Sequence, residues 1–293
     1  MGAAGVQRRT AGRGRRGGRV TCAELDSATH PLLERVEVVR NERVAQGVGL
    51  IVLRAPRVAA TVQPGQFVHL RVATGVDFLL RRPFSVHRVA GEAIEVLYQV
   101  LGRGTRELSL RVPGDVMDAI GPLGSGWRVP EGTAHALLVA GGLGAAPLGM
   151  LAERLAERGV AVSVAQGAPC AERLVARDLF ESVARRVEVA TDDGSAGEHG
   201  FVTVVSERLM ERDRPDVVYI CGPEVMARAV AAQAAKASVA CQVSLERLMA
   251  CGVGACLSCV VTTSSGRKRA CVDGPVFDAG EVCWDGSEVP PRH

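Results

Sequence analysis

Four cysteines near the C-terminus constrain this chain more than any other feature. Cys251, Cys256 and Cys259 follow one another as C-x4-C-x2-C, and Cys271 comes after eleven further residues. Five of the nine cysteines lie beyond residue 250, and an odd total leaves at least one outside any disulfide scheme. No apolar run follows the basic start, so we expect no signal peptide and a cytoplasmic setting in which thiols stay reduced. Crowded reduced thiols point to a metal centre. Gly252 and Gly254 let the backbone approach such a centre closely and turn several N–H groups toward the sulfurs. The spacing is the plant-type one that holds a [2Fe–2S] cluster. Structural zinc also takes four cysteines, but usually on two paired knuckles, whereas three ligands here share one nine-residue loop. Cys22, Cys170, Cys241 and Cys283 lack such spacing and read as ordinary thiols.

At 293 residues, with 47% hydrophobic and 23% charged side chains, the chain has room for about two domains and a small third. Aromatics make up only 3%, which argues against a nucleic-acid reader that stacks bases on aromatic platforms. The net charge of +3 belongs to one end, where residues 1–19 hold Arg8, Arg9, Arg13, Arg15, Arg16 and Arg19 and no acid. Without those six, 29 Lys and Arg stand against 32 Asp and Glu. The Gly/Arg-rich tail, residues 1–30, has no apolar periodicity and is predicted to be disordered. Residues 132–152 lack formal charge and approach the length of a membrane span. Five glycines and Pro147 divide that stretch into a strand, a turn and a helix start, so we expect no membrane segment.

Between Leu32 and Leu123, alternating runs at 36–38, 49–53, 66–72 and 93–100 are split by Gly and Pro. They predict an antiparallel barrel or sandwich over 31–129, with a short helix near 105–110. From Ala134 to Ala237 the pattern changes. Strands at 136–139, 160–165, 187–190 and 217–221 alternate with helices at 146–158, from 170 onward, at 203–211 and up to 237. This predicts a parallel sheet with helices on both faces over 130–237, leaving 238–293 as a small cluster domain.

Two regions carry ligand-binding signals. Gly141-Gly142-Leu143-Gly144-Ala145-Ala146-Pro147 joins a buried strand to a helix, where backbone N–H groups suit a pyrophosphate. It is not in the G-x-G-x-x-G register of a standard dinucleotide fold. Cys221-Gly222-Pro223 ends the last strand, where open α/β sheets bind ligands. In the first region, Arg81-Arg82-Pro83-Phe84-Ser85 sets a cation, a rigid turn and a hydroxyl close together. Arg82 can fork onto a phosphate, and Ser85 can hydrogen-bond a ring nitrogen. Gly102-Arg103-Gly104-Thr105 adds a second glycine-rich turn that enters a helix.

In this order the signals resemble the ferredoxin-reductase-like flavoproteins, whose R-P-x-S flavin signature reads here Arg82-Pro83-Phe84-Ser85. The cysteine loop, the run from Arg269 through Asp273-Gly274-Pro275-Val276-Phe277, Val243-Ser244-Leu245-Glu246 and Tyr219-Ile220-Cys221-Gly222-Pro223 are most similar to the electron-transfer subunits of NAD-dependent dihydroorotate dehydrogenases. The resemblance spans roughly residues 32–286. It implies a multidomain fold: an FAD-binding antiparallel β-barrel, an α/β parallel-sheet domain for NAD and a C-terminal [2Fe–2S] domain. Arg82, Pro83, Phe84 and Ser85 would bind FAD, with Leu97, Tyr98 and Gln99 along its nucleotide portion and Gly104 and Thr105 at its phosphates. Gln99 departs from the basic residue that relatives often carry there. Gly141, Gly142, Gly144, Cys221, Gly222 and Pro223 would border NAD, and Cys251, Cys256, Cys259 and Cys271 would hold the cluster.

The implied partner is an FMN-containing subunit that oxidises dihydroorotate for pyrimidine biosynthesis, in a heterotetramer of two of each chain. The cofactors carry the chemistry, so no protein nucleophile or acid–base pair is expected. The turn Gln166-Gly167-Ala168-Pro169 has no basic pair for a 2′-phosphate, which favours NAD over NADP. Competing readings are the small flavin/iron–sulfur subunit of a ferredoxin:NAD(P)+ oxidoreductase, a hydrogenase-type diaphorase, and a zinc-stabilised binding module without redox cofactors.

Overall fold

The computed structural model of the chain describes residues 1–2, 31–75 and 78–285. The predicted tail, Met1 and Gly2 apart, and Cys22 fall outside the described residues.

Period-two patterning builds the first part. Strand β1 (Leu32–Ala45) buries Val36 and Val38 on one face, and irregularities after Val38 and Arg43 let so long a strand bend. With β2 (Val48–Arg54), β3 (Phe67–Arg71), β4 (Arg82–Ser85), β5 (Arg88–Ala90), β6 (Ala93–Gln99) and β7 (Val116–Leu123) it forms an antiparallel sheet in the order β4-β3-β7-β1-β2-β6-β5. The two end strands are consecutive in the chain, with only Val86 and His87 between them. Val86 N–H donates to the Gln66 carbonyl, and His87 N–H donates to the Glu95 carbonyl beside β6 pairing. Segment 82–90 is therefore the seam that closes the sheet into a barrel. Helix α1 (Pro56–Thr61) leaves N-terminal donors unpaired within itself, and the Arg57 and Val58 N–H groups donate to the buried Glu34 carboxylate at 3.0 Å each. Helix α2 (Arg103–Ser109) follows β6.

The second part is a sheet of order β11-β10-β9-β8-β12-β13-β16, its last strand being β16 (Val276–Asp278). Its parallel members are β8 (His135–Gly141), β9 (Ala161–Ala168), β10 (Arg186–Thr191), β11 (Glu198–His199), β12 (Val217–Cys221) and β13 (Ala240–Ser244). Helices α3 (Gly149–Glu157), α4 (Arg177–Val183), α5 (Val202–Asp213) and α6 (Glu224–Lys236) flank it. Strands covered on both faces read as continuous apolar runs, and β12 is buried throughout. Among the described residues no helix is long and apolar enough to cross a membrane.

Three local expectations change. The helix expected over 146–158 begins only at Gly149, after a 3-10 turn (Gly142–Leu148) holding Pro147, whose ring offers no N–H to an α-helical ladder. The helix expected from residue 170 is a 3-10 turn (Ala171–Arg173) and then α4, separated by Ala176 at a φ of 58°. The boundary expected at 237/238 also shifts in the sheet. Strand β13 continues the parallel order, and β16 (Val276–Asp278) pairs antiparallel beside it. The cluster segment thus leaves the sheet after β13, forms the hairpin β14 (Val260–Thr263) and β15 (Gly266–Arg269), and returns to the same sheet.

Candidate functional site

Strand order reverses between β8 and β12, so a crevice opens at their carboxyl ends. The predicted nicotinamide residues meet there. A Cβ on Gly144 would lie 2.0 Å from the Cys221 carbonyl oxygen, and one on Gly222 would lie 2.9 Å from the Gly141 Cα. Gly142 instead has open space around it, at a φ of +54°. Pro223 stands at the start of α6. Burial pushes the Cys221 thiol pKa strongly up, so it is a neutral wall rather than a nucleophile.

The glycine loop is held from the barrel side by two side chains. The His87 ring hydrogen-bonds the Ala146 carbonyl through Nδ1 at 2.9 Å, so that nitrogen carries the proton. Trp127 Nε1 donates to the Pro147 carbonyl at 2.9 Å. Burial lowers the His87 pKa to about 4, leaving the imidazole neutral at pH 7. An unfolded histidine titrates near 6.5, so the unfolded chain binds the extra proton first. The stabilising contribution is complete above that value and is lost as pH falls toward about 4. The full loss is roughly 3 kcal/mol. Denaturant melts of wild type and His87→Gln between pH 7 and pH 4 check this. Glutamine keeps a donor for Ala146 without the titration, so the stability gap between the two proteins should close toward acid.

Beside the crevice lies a cavity of about 270 Å³. The barrel contributes Pro83, Phe84 and Ser85 from β4 and Leu97, Tyr98 and Gln99 from β6. The glycine loop adds Leu143, Ala146 and Pro147. The remaining predicted flavin residues sit elsewhere: the Arg82 side chain crosses the start of α2, where a Cβ on Gly104 would meet Arg82 Nε at 3.0 Å. Thr105 Oγ1 accepts from the Leu101 and Gly102 N–H groups at 2.9 and 3.2 Å, fixing that turn. Tyr98 also borders a second groove of about 440 Å³ with Asn41 and Gly49. Its hydroxyl donates to Asn41 Oδ1 at 2.8 Å, and its ring fills the space that a Gly49 side chain would need. The two spaces therefore share one fixed aromatic wall, which suits an elongated flavin dinucleotide.

Sequence reasoning missed the wall supplied by Phe67, Ser244, Glu246, Arg247 and Met249. Glu246 opens onto the cavity, and the surrounding protein raises its carboxyl pKa by desolvation. The motif Val243-Ser244-Leu245-Glu246 was legible only as a family likeness, because nothing local shows that β13 ends against β4.

Two residues past Met249 the cysteine loop begins. Gly252 and Gly254 hold φ angles of +72° and +81°. Backbone N–H groups of Val253 and Cys256 donate to Cys251 Sγ at 3.4 Å, and that of Gly254 donates to Cys271 Sγ at 3.1 Å. Hydrogen bonds, led by the Ser258 hydroxyl, hold exposed Cys256 down to about 6, near the thiolate form a metal ligand needs. Buried Cys271 is pushed up to about 12, by desolvation first and then by Cys259 beside it. The thiols thus fall into an outer pair, Cys251 and Cys256, and a buried pair, Cys259 and Cys271. Among the described residues no three His, Cys, Asp or Glu side chains gather around a single-ion point. Amide donors converging on the Cys251 and Cys271 sulfurs are what a thiolate-held iron–sulfur cluster uses to tune its charge.

Comparison with known proteins agrees with this geometry. A family model described as the iron-sulfur cluster binding domain of dihydroorotate dehydrogenase B matches residues 246–283, and one described as an oxidoreductase NAD-binding domain matches residues 138–232. The dihydroorotate dehydrogenase B (NAD(+)) electron transfer subunit of Desulforamulus reducens is 41% identical over 237 residues, covering 79% of this chain and 90% of that protein. Its counterpart in Bacillus caldolyticus is 40% identical over 258 residues, covering 85% and 98%. The solved structure of an NADH-dependent reduced ferredoxin-NADP oxidoreductase superposes with a TM-score of 0.78 at 34% identity, covering 85% of this chain and 90% of that one. The ferredoxin reductase of carbazole 1,9a-dioxygenase shares the fold, with a TM-score of 0.62 at 20% identity over 72% of this chain and 68% of its own.

Proposed function

Because the chain belongs to the family of dihydroorotate dehydrogenase B (NAD(+)) electron transfer subunits, we propose that it passes electrons from a dihydroorotate-oxidising catalytic subunit to NAD+ in pyrimidine biosynthesis. When bound, the [2Fe–2S] cluster supplies one-electron chemistry, and FAD links single electrons to the hydride that NAD+ accepts. One observation carries the reading: segment 244–249 walls the flavin cavity, and the same segment runs into the cluster ligand Cys251 two residues later. Both redox sites are built on one stretch of backbone.

The chain's own residues supply binding and orientation. Pro83, Phe84, Ser85, Leu97, Tyr98 and Gln99 shape the flavin's bed, with Arg82, Gly104 and Thr105 placed for its phosphates. Gly141, Gly142, Gly144, Cys221, Gly222 and Pro223 border the nicotinamide side. Cys251, Cys256, Cys259 and Cys271 hold the cluster. Domain limits of 31–129, 130–237 and 238–293 serve this division, with β13 lent to the middle sheet. The partner is an FMN subunit in a cytoplasmic heterotetramer of two of each chain. It meets the loop at 252–255, where exposed Leu248, Val253 and Leu257 surround exposed Cys256.

The test is NAD+ reduction driven by dihydroorotate, in the complex purified anaerobically through a tag on this chain. Orotate and NADH formed together, with FMN and FAD in equal amounts, is the expected result. A complex that oxidises NADH but ignores dihydroorotate would move the function to a ferredoxin:NAD(P)+ oxidoreductase or a diaphorase.

A further inference from the structure

His69 is fully buried in β3, and neither ring nitrogen reaches a partner at full hydrogen-bond geometry. A polar ring buried without a well-formed partner is costly, so its position needs a reason. Two contacts give one. In the barrel, His69 pairs across the ladder with Pro83 of the flavin-binding strand β4. On its other flank the ring meets the cluster loop, where a Cβ on Gly252 would lie 2.5 Å from His69 Nδ1. The ring's hydrogen-bonding reach, short of full hydrogen-bond geometry, is toward the backbone of Cys251, a cluster ligand, and of Arg81, which precedes the flavin arginine Arg82.

We propose that His69 is a positioning residue for the cluster: a wedge between the flavin strand and the cluster loop, with a ring N–H directed at the Cys251–Gly252 peptide. This rests on the cofactor reading above. The ring fixes how far the loop stands from β4, and it occupies the place of a side chain at Gly252, whose φ of +72° already favours glycine. An N–H dipole with its positive end toward a cluster ligand favours the reduced, more negative state. Removing it lowers the cluster's reduction potential.

The experiment uses the full chain, purified anaerobically with its cofactors, as wild type, His69→Leu and His69→Asn. Iron, sulfide and FAD content, the electron paramagnetic resonance spectrum of the reduced cluster and its midpoint potential are measured on each. The leucine variant is expected to keep FAD and to shift the one-electron equilibrium about tenfold toward the oxidised cluster, which is about 59 mV. Asparagine, which keeps an N–H donor, is expected to recover most of that shift. Wild-type values in both variants, or equal shifts in both, would overturn the proposal, because packing alone would then account for His69. If the leucine variant loses its flavin, Gly252→Ala decides instead, since its methyl presses the loop from the opposite side. It should reproduce the altered spectrum with His69 intact, and an unaltered spectrum overturns the wedge. A wild-type chain without any [2Fe–2S] signal would refute the cofactor reading and not this contact in particular.

Discussion

Cys256→Ser is expected to remove the cluster while leaving a yellow, FAD-bearing protein. Serine's hydroxyl is a far weaker iron ligand than a thiolate, and Cys256 is the thiol that its hydrogen bonds already bring near ionisation at neutral pH. Dihydroorotate-dependent NAD+ reduction in the complex should fall by more than the roughly 100-fold that altering a residue behind a metal ligand costs. NADH oxidation with ferricyanide as acceptor should persist, because Cys256 lies exposed outside the flavin cavity wall. The two assays, run on one preparation with iron counted, separate the routes. Unchanged dihydroorotate turnover without iron would refute the path through the cluster.

Gly144→Ala is expected to produce the mirror-image defect. The added methyl would sit 2.0 Å from the Cys221 carbonyl oxygen, and that neighbour is backbone at the end of a buried strand. Neither β12 nor the 3-10 turn can rotate away as a flexible side chain would, so the loop must move. Overpacking of this kind costs about 1–3 kcal/mol. A shift of about 1 Å in a positioning loop costs on the order of 100-fold in rate. NADH:ferricyanide activity should drop by about that factor while iron and FAD content stay at wild-type levels. Stopped-flow reduction of the flavin by NADH measures it directly, and a variant as fast as wild type would take the loop out of the nicotinamide site.

What the sequence disclosed depended on distance along the chain. The proposed cluster ligands stood out in the sequence because three of the four lie within nine residues with glycines between them. The seam Arg82-Pro83-Phe84-Ser85 was legible as a signature, although its role in closing the barrel was not, since that needs β3 on one side and β6 on the other. The wall from Ser244 to Met249 stayed hidden because it faces the same cavity as β4 from some 160 residues away, a proximity that no period can announce. Strand β16 stayed hidden for another reason: three residues, Val276–Asp278, are too few to show alternation. His69 carried no signal of its own within the run 66–72, and only its buried ring beside Gly252 sets it apart.

The excursion from β13 out to the cysteines and back to β16 has a consequence for how such a protein changes over time. Both feet of the excursion stand on neighbouring strands of one sheet, so the segment between them is an insertion rather than an appendage. Closing a loop of about thirty residues costs little more than closing one half as long. Length can therefore change at the hairpin tip, 264–265, with little effect on the sheet, whereas 245–249 is held in place by the cavity it walls. A lineage that traded one electron-delivering cassette for another would have to rebuild that flavin wall with it, so the two sites are inherited as one unit.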